Sequence, residues 1–132
     1  MSQKILVVDD STFVHSMYDM VLRCFEDCEI LHAMNGREAL EVLGESPDCS
    51  VIILDVNMPE MNGLEFIDNY KSSGLQDQAP IIIVSTEGTD DDTRRGLEAG
   101  ATAYLKKPFQ PSDLKTMVGK VLRNPDRSMP RG

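Results

Sequence analysis

Short aliphatic runs in this chain end in residues that could act on a phosphoryl group or a cation. Ile5-Leu6-Val7-Val8 runs into Asp9-Asp10, Val51-Ile52-Ile53-Leu54 into Asp55, and Ile81-Ile82-Ile83-Val84 into Ser85. A fifth, more mixed run at 102–105 is followed by Lys106-Lys107-Pro108. If the runs lie side by side, three carboxylates, a hydroxyl and an ammonium share one edge. Two carboxylates ~4 Å apart repel by about 4 kcal/mol at an effective dielectric near 20, so such a cluster is a poor way to hold a fold together. A hard divalent cation with oxygen ligands relieves that repulsion; Mg2+ typically takes a few carboxylates, waters and a phosphate. A carboxylate can also attack phosphorus. The lysine would then neutralise the transferring group and the hydroxyl would donate to one of its oxygens.

The elements that must bring these residues together can be read from periodicity. Strands are expected at 5–8, 29–33, 51–54, 81–84 and 102–105. The three unbroken aliphatic runs imply burial on both faces, as in the middle of a parallel sheet, and the two mixed runs belong nearer its edges. Between them the period turns helical. Val14, Met17, Tyr18, Val21, Leu22 and Phe25 form one stripe, and Leu114, Met117, Val118, Val121 and Leu122 form another, after Pro111 in a favourable first-turn position. Thr89 before Asp90-Asp91-Asp92 reads as a cap and an acidic first turn, and Gly100 as that helix's stop. Helices near 37–44 and 64–73 complete a strand–helix alternation repeated five times. That alternation predicts an α/β fold, a parallel sheet covered by helices on both faces. In such sheets the functional crevice lies beyond the carboxyl ends of the strands.

Composition narrows the function. The 132 residues suit one domain, expected to be 1–123 with a flexible C-terminal tail at 124–132. Thirteen Lys and Arg against 22 Asp and Glu give a net charge of -9, which opposes binding to nucleic acid or anionic membranes. No stretch approaches the ~20 apolar residues of a membrane helix, and the short N-terminal run is no signal peptide. With Cys24, Cys28 and Cys49 read as reduced thiols, the expected location is cytoplasmic.

The stretches VVDDS, LDVNMPEMNG, IIIVSTEG and AYLKKPF resemble the receiver domain of two-component response regulators, over roughly residues 3–123. The resemblance implies a flavodoxin-like, doubly wound five-stranded parallel sheet of strand order 2-1-3-4-5. It implies Asp55 as the phosphoacceptor. Asp10, Asp55 and the backbone carbonyl of Asn57 would ligate Mg2+, with Mn2+ as a substitute, and Asp9 would act through water. Lys107 and Ser85 would contact the phosphoryl group, and Ser85 and Tyr104 would switch, remodelling the face of the fourth helix, fifth strand and fifth helix where a downstream protein docks. The Lys107–Pro108 peptide would be cis, and Met58-Pro59 and Gly63 match the loop before the third helix. The phosphoryl group would come from a sensor histidine kinase or a histidine phosphotransfer protein. Asn57 and Glu87, beside the site as in chemotaxis-type members, would tune hydrolysis. The pattern departs at His15, on the first helix, where Lys or Arg is frequent.

Each residue also has a plainer reading. Asp9-Asp10 alone would be a strand-ending turn or cap, Ser85 a turn hydroxyl, Tyr104 a static core aromatic, and Lys106 a solvated neighbour. Cys24, Cys28 and His32 are spaced like zinc ligands, but the chain changes from helix to strand between them, so zinc is not expected. A lone surface His15 needs no chemical role. The alternative function is a metal-dependent phosphohydrolase with an aspartyl nucleophile, of the haloacid-dehalogenase-like kind. That family needs a second Asp two residues after the nucleophile, where this chain has Asn57. A degenerate receiver acting as a scaffold is not favoured, because every acidic, hydroxyl and lysine position is filled. A flavin site is not expected either: acids, not a hydroxyl- and glycine-rich loop, follow the first strand. No nucleotide is expected.

Overall fold

The computed structural model describes residues 3–25, 28–46, 48–55, 63–73, 79–85, 94, 96–98, 100–107 and 109–122. Five strands, β1 (Gln3–Val8), β2 (Cys28–Ala33), β3 (Val51–Asp55), β4 (Ile81–Ser85) and β5 (Ala103–Lys106), form one sheet in the order β2-β1-β3-β4-β5. Every pairing is parallel. The expected order is therefore the observed one, with the two mixed runs at the edges.

Alternation explains why the central runs are aliphatic throughout. Leu6, Val8, Ile52, Leu54, Ile81 and Ile83 face one side, where Ala39 and Leu43 of helix α2 (Gly36–Glu45) and Phe66, Ile67 and Tyr70 of helix α3 (Gly63–Lys71) cover them. Ile5, Val7, Val51, Ile53, Ile82 and Val84 face the other, against Tyr18, Val21 and Leu22 of helix α1 (Thr12–Leu22) and Leu114 and Val118 of the C-terminal helix (Pro111–Leu122). Each fully buried aliphatic side chain contributes about 1.5–3 kcal/mol, so neither face can be given up.

Local signals set the helix starts. The Ser11 hydroxyl accepts from the Val14 N–H at 3.3 Å and opens α1. Asn35 does the same for α2, accepting from the Glu38 N–H at 2.9 Å, while the Glu38 carboxylate reaches back to the Met34 N–H. Helix α1 stops at Leu22, short of Phe25, whose ring still packs against the same core. Arg94 and residues 96–98 are helical, and Gly100 turns the chain toward β5 with φ +125°, a left-handed conformation that suits glycine. The expected cap at Thr89 and acidic turn at Asp90-Asp91-Asp92, the loop at Met58-Pro59, and the tail at 124–132 lie outside the described residues. Among the described residues, no helix is long and apolar enough to cross a membrane.

Two strands run one residue further than the sequence suggests. Asp55 pairs with Val84 and Ser85 with Lys106, so both functional candidates are the last rungs of the ladder rather than residues beyond it. Strand β5 begins and ends one residue later than expected, and Lys107 follows it directly.

Candidate phosphoacceptor and metal site

Register places the chemistry. Val8 pairs with Leu54, so Asp9 and Asp55, the next residues on two neighbouring strands, leave the sheet at the same level. On the other side of β3, the Lys107 N–H donates to the Ser85 carbonyl at 2.8 Å, which carries Lys107 to the same rim. Carboxylate oxygens of Asp9, Asp10 and Asp55 lie within 4.8 Å of one another. The Lys107 ammonium is 3.7 Å from Asp55 Oδ2 and 3.8 Å from Asp9 Oδ2. Asp9, Asp55 and Ser85 are buried, and Asp10 is exposed.

The charges at the rim do not balance. With all three acids ionised and Lys107 protonated, the sum is -3 + 1 = -2. At such distances each like pair costs about 4 kcal/mol at an effective dielectric near 20, and one ammonium cannot offset three carboxylates. Asp9 carries the strain: burial, with the Asp55 charge acting in the same sense, raises its carboxyl above the usual carboxylate value, against the lowering effects of the Ser11 N–H and Lys107.

Asp9 is held at several atoms. Its N–H donates to the Ala33 carbonyl at 3.1 Å, and its own carbonyl accepts from His15 Nε2 at 2.8 Å. Oδ1 accepts from the Ser11 N–H at 2.9 Å. Only Oδ2 is left, buried and without a hydrogen-bond partner among the described residues. An orphaned buried carboxylate oxygen costs free energy unless a cation, water or proton meets it. The donor set is all oxygen, the charge surplus is two, and one oxygen lacks a hydrogen bond among the described residues; these residues fit a hard divalent cation such as Mg2+. Tyr18 lies beneath: burial, and behind it the charges of Asp9 and Asp55, push its phenol far above the ordinary value, so it stays neutral under the acids.

Asp9, Asp10, Asp55 and Lys107 are thus brought together, with Ser85 one rung beyond Asp55's partner on β4. Tyr104 stands further back on β5, partly buried against the core and close to Gly96. Lys106 is exposed. Asn57, Glu87 and the Lys107–Pro108 peptide lie outside the described residues.

His15 needs correction. It is 7% exposed, not a surface residue: Nε2 bonds to the Asp9 carbonyl and Nδ1 lies 2.6 Å from His32 Nδ1. The signal was available, because 15, 18 and 22 follow the helical spacing of the buried stripe. It was missed because an imidazole does not read as core. His32, considered only beside the cysteines, has both ring nitrogens engaged, with His15 and with Asp19 Oδ1 at 3.0 Å.

Comparison with known proteins identifies the family and agrees with the fold. The family model for the response regulator receiver domain matches residues 5–119. A chemotaxis protein CheY homolog of Campylobacter jejuni is 39% identical over 119 residues, covering 90% of this chain and 92% of that protein. The two-component response regulator ORR5 of Oryza sativa is 38% identical, covering 90% and 88%. Among solved structures, chemotaxis protein CheY4 of Vibrio cholerae superposes with a TM-score of 0.83 at 35% identity, covering 92% of this chain and all of that one. A sheet of this order with acids at its carboxyl edge, a family match across most of the length and relatives at this identity leave one conclusion: the chain belongs to the response-regulator receiver family and works in two-component signalling.

Proposed function

We propose that the protein is a phosphorylation-dependent switch in which Asp55 takes a phosphoryl group from a sensor histidine kinase or a histidine phosphotransfer protein. The observation that carries this reading is the Asp9–Asp10–Asp55 cluster with an orphaned Asp9 oxygen and Lys107 3.7 Å from Asp55. The receiver unit spans residues 1–123, in line with the family match over 5–119, and acts in the cytoplasm.

A carboxylate oxygen of Asp55 attacks phosphorus, the bond from phosphorus to the donor imidazole breaks, and the departing imidazole keeps the electron pair and takes up a proton. Asp10, Asp55 and the Asn57 carbonyl would hold Mg2+, and Asp9 would act on it through water. The cation, when bound, neutralises charge on the transferring group. Lys107, 3.7 Å from Asp55 Oδ2, supplies a second positive charge. Ser85, buried at the end of β4, donates to a phosphoryl oxygen, and Tyr104 responds by moving inward, which remodels the face that a downstream protein reads. Asn57 and Glu87 set the lifetime of the phosphorylated state by admitting or excluding water. The protein catalyses its own phosphorylation and dephosphorylation and turns over no other substrate. Several relatives are chemotaxis proteins, and chemotaxis is the pathway we assign.

Incubation with Mg2+ and acetyl phosphate, followed by mass analysis, tests the assignment. One phosphate adduct is expected on the wild type and none on Asp55→Asn. Multiple turnover of simple phosphate esters would instead favour the phosphohydrolase reading.

A further inference from the structure

His15 and His32 meet edge to edge, with ring centroids 4.7 Å apart and planes at 68°. Their hydrogen bonds form one line: Asp19 Oδ1 to His32 Nε2 at 3.0 Å, His32 Nδ1 to His15 Nδ1 at 2.6 Å, and His15 Nε2 to the Asp9 carbonyl at 2.8 Å. The protons on this line can be assigned by counting. A carbonyl oxygen only accepts, so His15 Nε2 carries a proton; a carboxylate only accepts, so His32 Nε2 carries one too. The 2.6 Å contact between the Nδ1 atoms joins the two rings into one continuous line of hydrogen bonds.

The other end of the line is Asp9, which is held at several atoms of the acidic rim. The N–H of Asp9 is fixed by Ala33 and Oδ1 by Ser11. The His15 bond fixes the carbonyl, which is the peptide oxygen joining Asp9 to Asp10. Rotation of that peptide would swing the Asp10 side chain away from Asp55, so the imidazole sets how closely the acids converge.

We propose that His15 and His32 are positioning residues: with Asp19 they form a relay from the α1–β2 surface that clamps the Asp9–Asp10 peptide and holds the acids in their cation-binding arrangement. The inference rests on the metal-dependent phosphoacceptor reading and assigns that site a support of its own. Partners of metal-binding groups commonly act in this way, and their loss lowers metal affinity about 10- to 100-fold. The relay also reaches the surface, since the His32 and Asp19 side chains are 34% and 51% exposed. A change there is transmitted to the rim through two rings rather than through the core.

The test is a Mg2+ titration of the full chain, followed by amide shifts at the rim, for wild type, His15→Leu, His15→Gln and His32→Leu. His15→Leu keeps the bulk and loses the donor; an affinity about tenfold or more weaker is expected. His15→Gln, which offers an amide N–H to the same carbonyl, should recover most of it, and His32→Leu should show a smaller loss. Imidazole nitrogen spectra of the wild type should report protonated Nε2 on both rings. A folded His15→Leu protein with wild-type Mg2+ affinity, or a His15 Nε2 without its proton, would overturn the proposal. If His15→Leu does not fold, unchanged affinity in His32→Leu overturns it equally. Wild type that ignores Mg2+ sinks the metal reading and this inference together; wild-type binding with unaffected variants sinks this inference alone.

Discussion

The middles and the ends of the same strands obey opposite rules. In the middle, Ile5–Val8, Val51–Leu54 and Ile81–Val84 are dry on both faces and paired along every rung. One residue further on, Asp9, Asp55 and Lys107 form a rim with two surplus negative charges and an orphaned buried oxygen. The core has spare stability, and the rim spends it on an arrangement that a cation and a phosphoryl group can complete. Substitutions should therefore change sign between the two regions, which are adjacent along the chain.

The largest effect belongs to the middle. Ile53→Ala, at a position 1% exposed, should destabilise by about 2–5 kcal/mol, the usual cost of such a cavity, measured by urea unfolding. Overpacking comes next. A Cβ on Gly96 would approach Ile83 Cδ1 to 2.7 Å and Tyr104 Cδ2 to 3.6 Å, so Gly96→Ala should cost about 1–3 kcal/mol and disturb the Tyr104 ring resonances. A Gly96→Ala protein with unchanged stability and Tyr104 spectrum would show that this helix is looser than described.

At the rim the sign reverses. Without metal, Asp9→Asn should stabilise by on the order of 1 kcal/mol, because it removes a buried charge that Lys107 and the Ser11 N–H only partly offset against burial and Asp55. The pH dependence follows from the raised Asp9 carboxyl. Its favourable contribution to the folded state is complete below the ordinary value of 3.8 and is lost as pH rises through the raised folded value. The advantage of Asp9→Asn should thus be absent in acid and grow toward neutrality; an advantage that shrinks with rising pH would contradict the charge argument. The smallest effect is at the surface pair Lys4–Asp48, 3.1 Å apart. Asp48→Asn should change stability only slightly, and added salt should erase the difference.

Much of this was legible in the sequence, for physical reasons that also mark where reading stopped. Unbroken runs such as Ile81–Val84 can only be buried on both sides, which places a strand in mid-sheet, and acids directly after two such runs in a parallel sheet must share an edge. Strand ends were off by a residue because ladder pairing, not hydropathy, decides whether Asp55 and Ser85 belong to the strand. His15 was misread because its periodicity was hidden by its chemistry. The partner that hydrogen-bonds a buried imidazole, here His32 on β2, is a tertiary fact that no local pattern carries. The orphaned Asp9 oxygen is the same kind of fact, since it depends on three other atoms having already found partners.

Thermal unfolding against Mg2+ concentration tests the claim that the rim is strained in favour of a cation. A ligand that binds only the folded chain stabilises it by RT ln(1 + [L]/Kd). The midpoint of the wild type should therefore rise steadily with the logarithm of Mg2+ above its Kd, and Asp10→Asn should rise less. Identical midpoints with and without saturating Mg2+ would contradict the account.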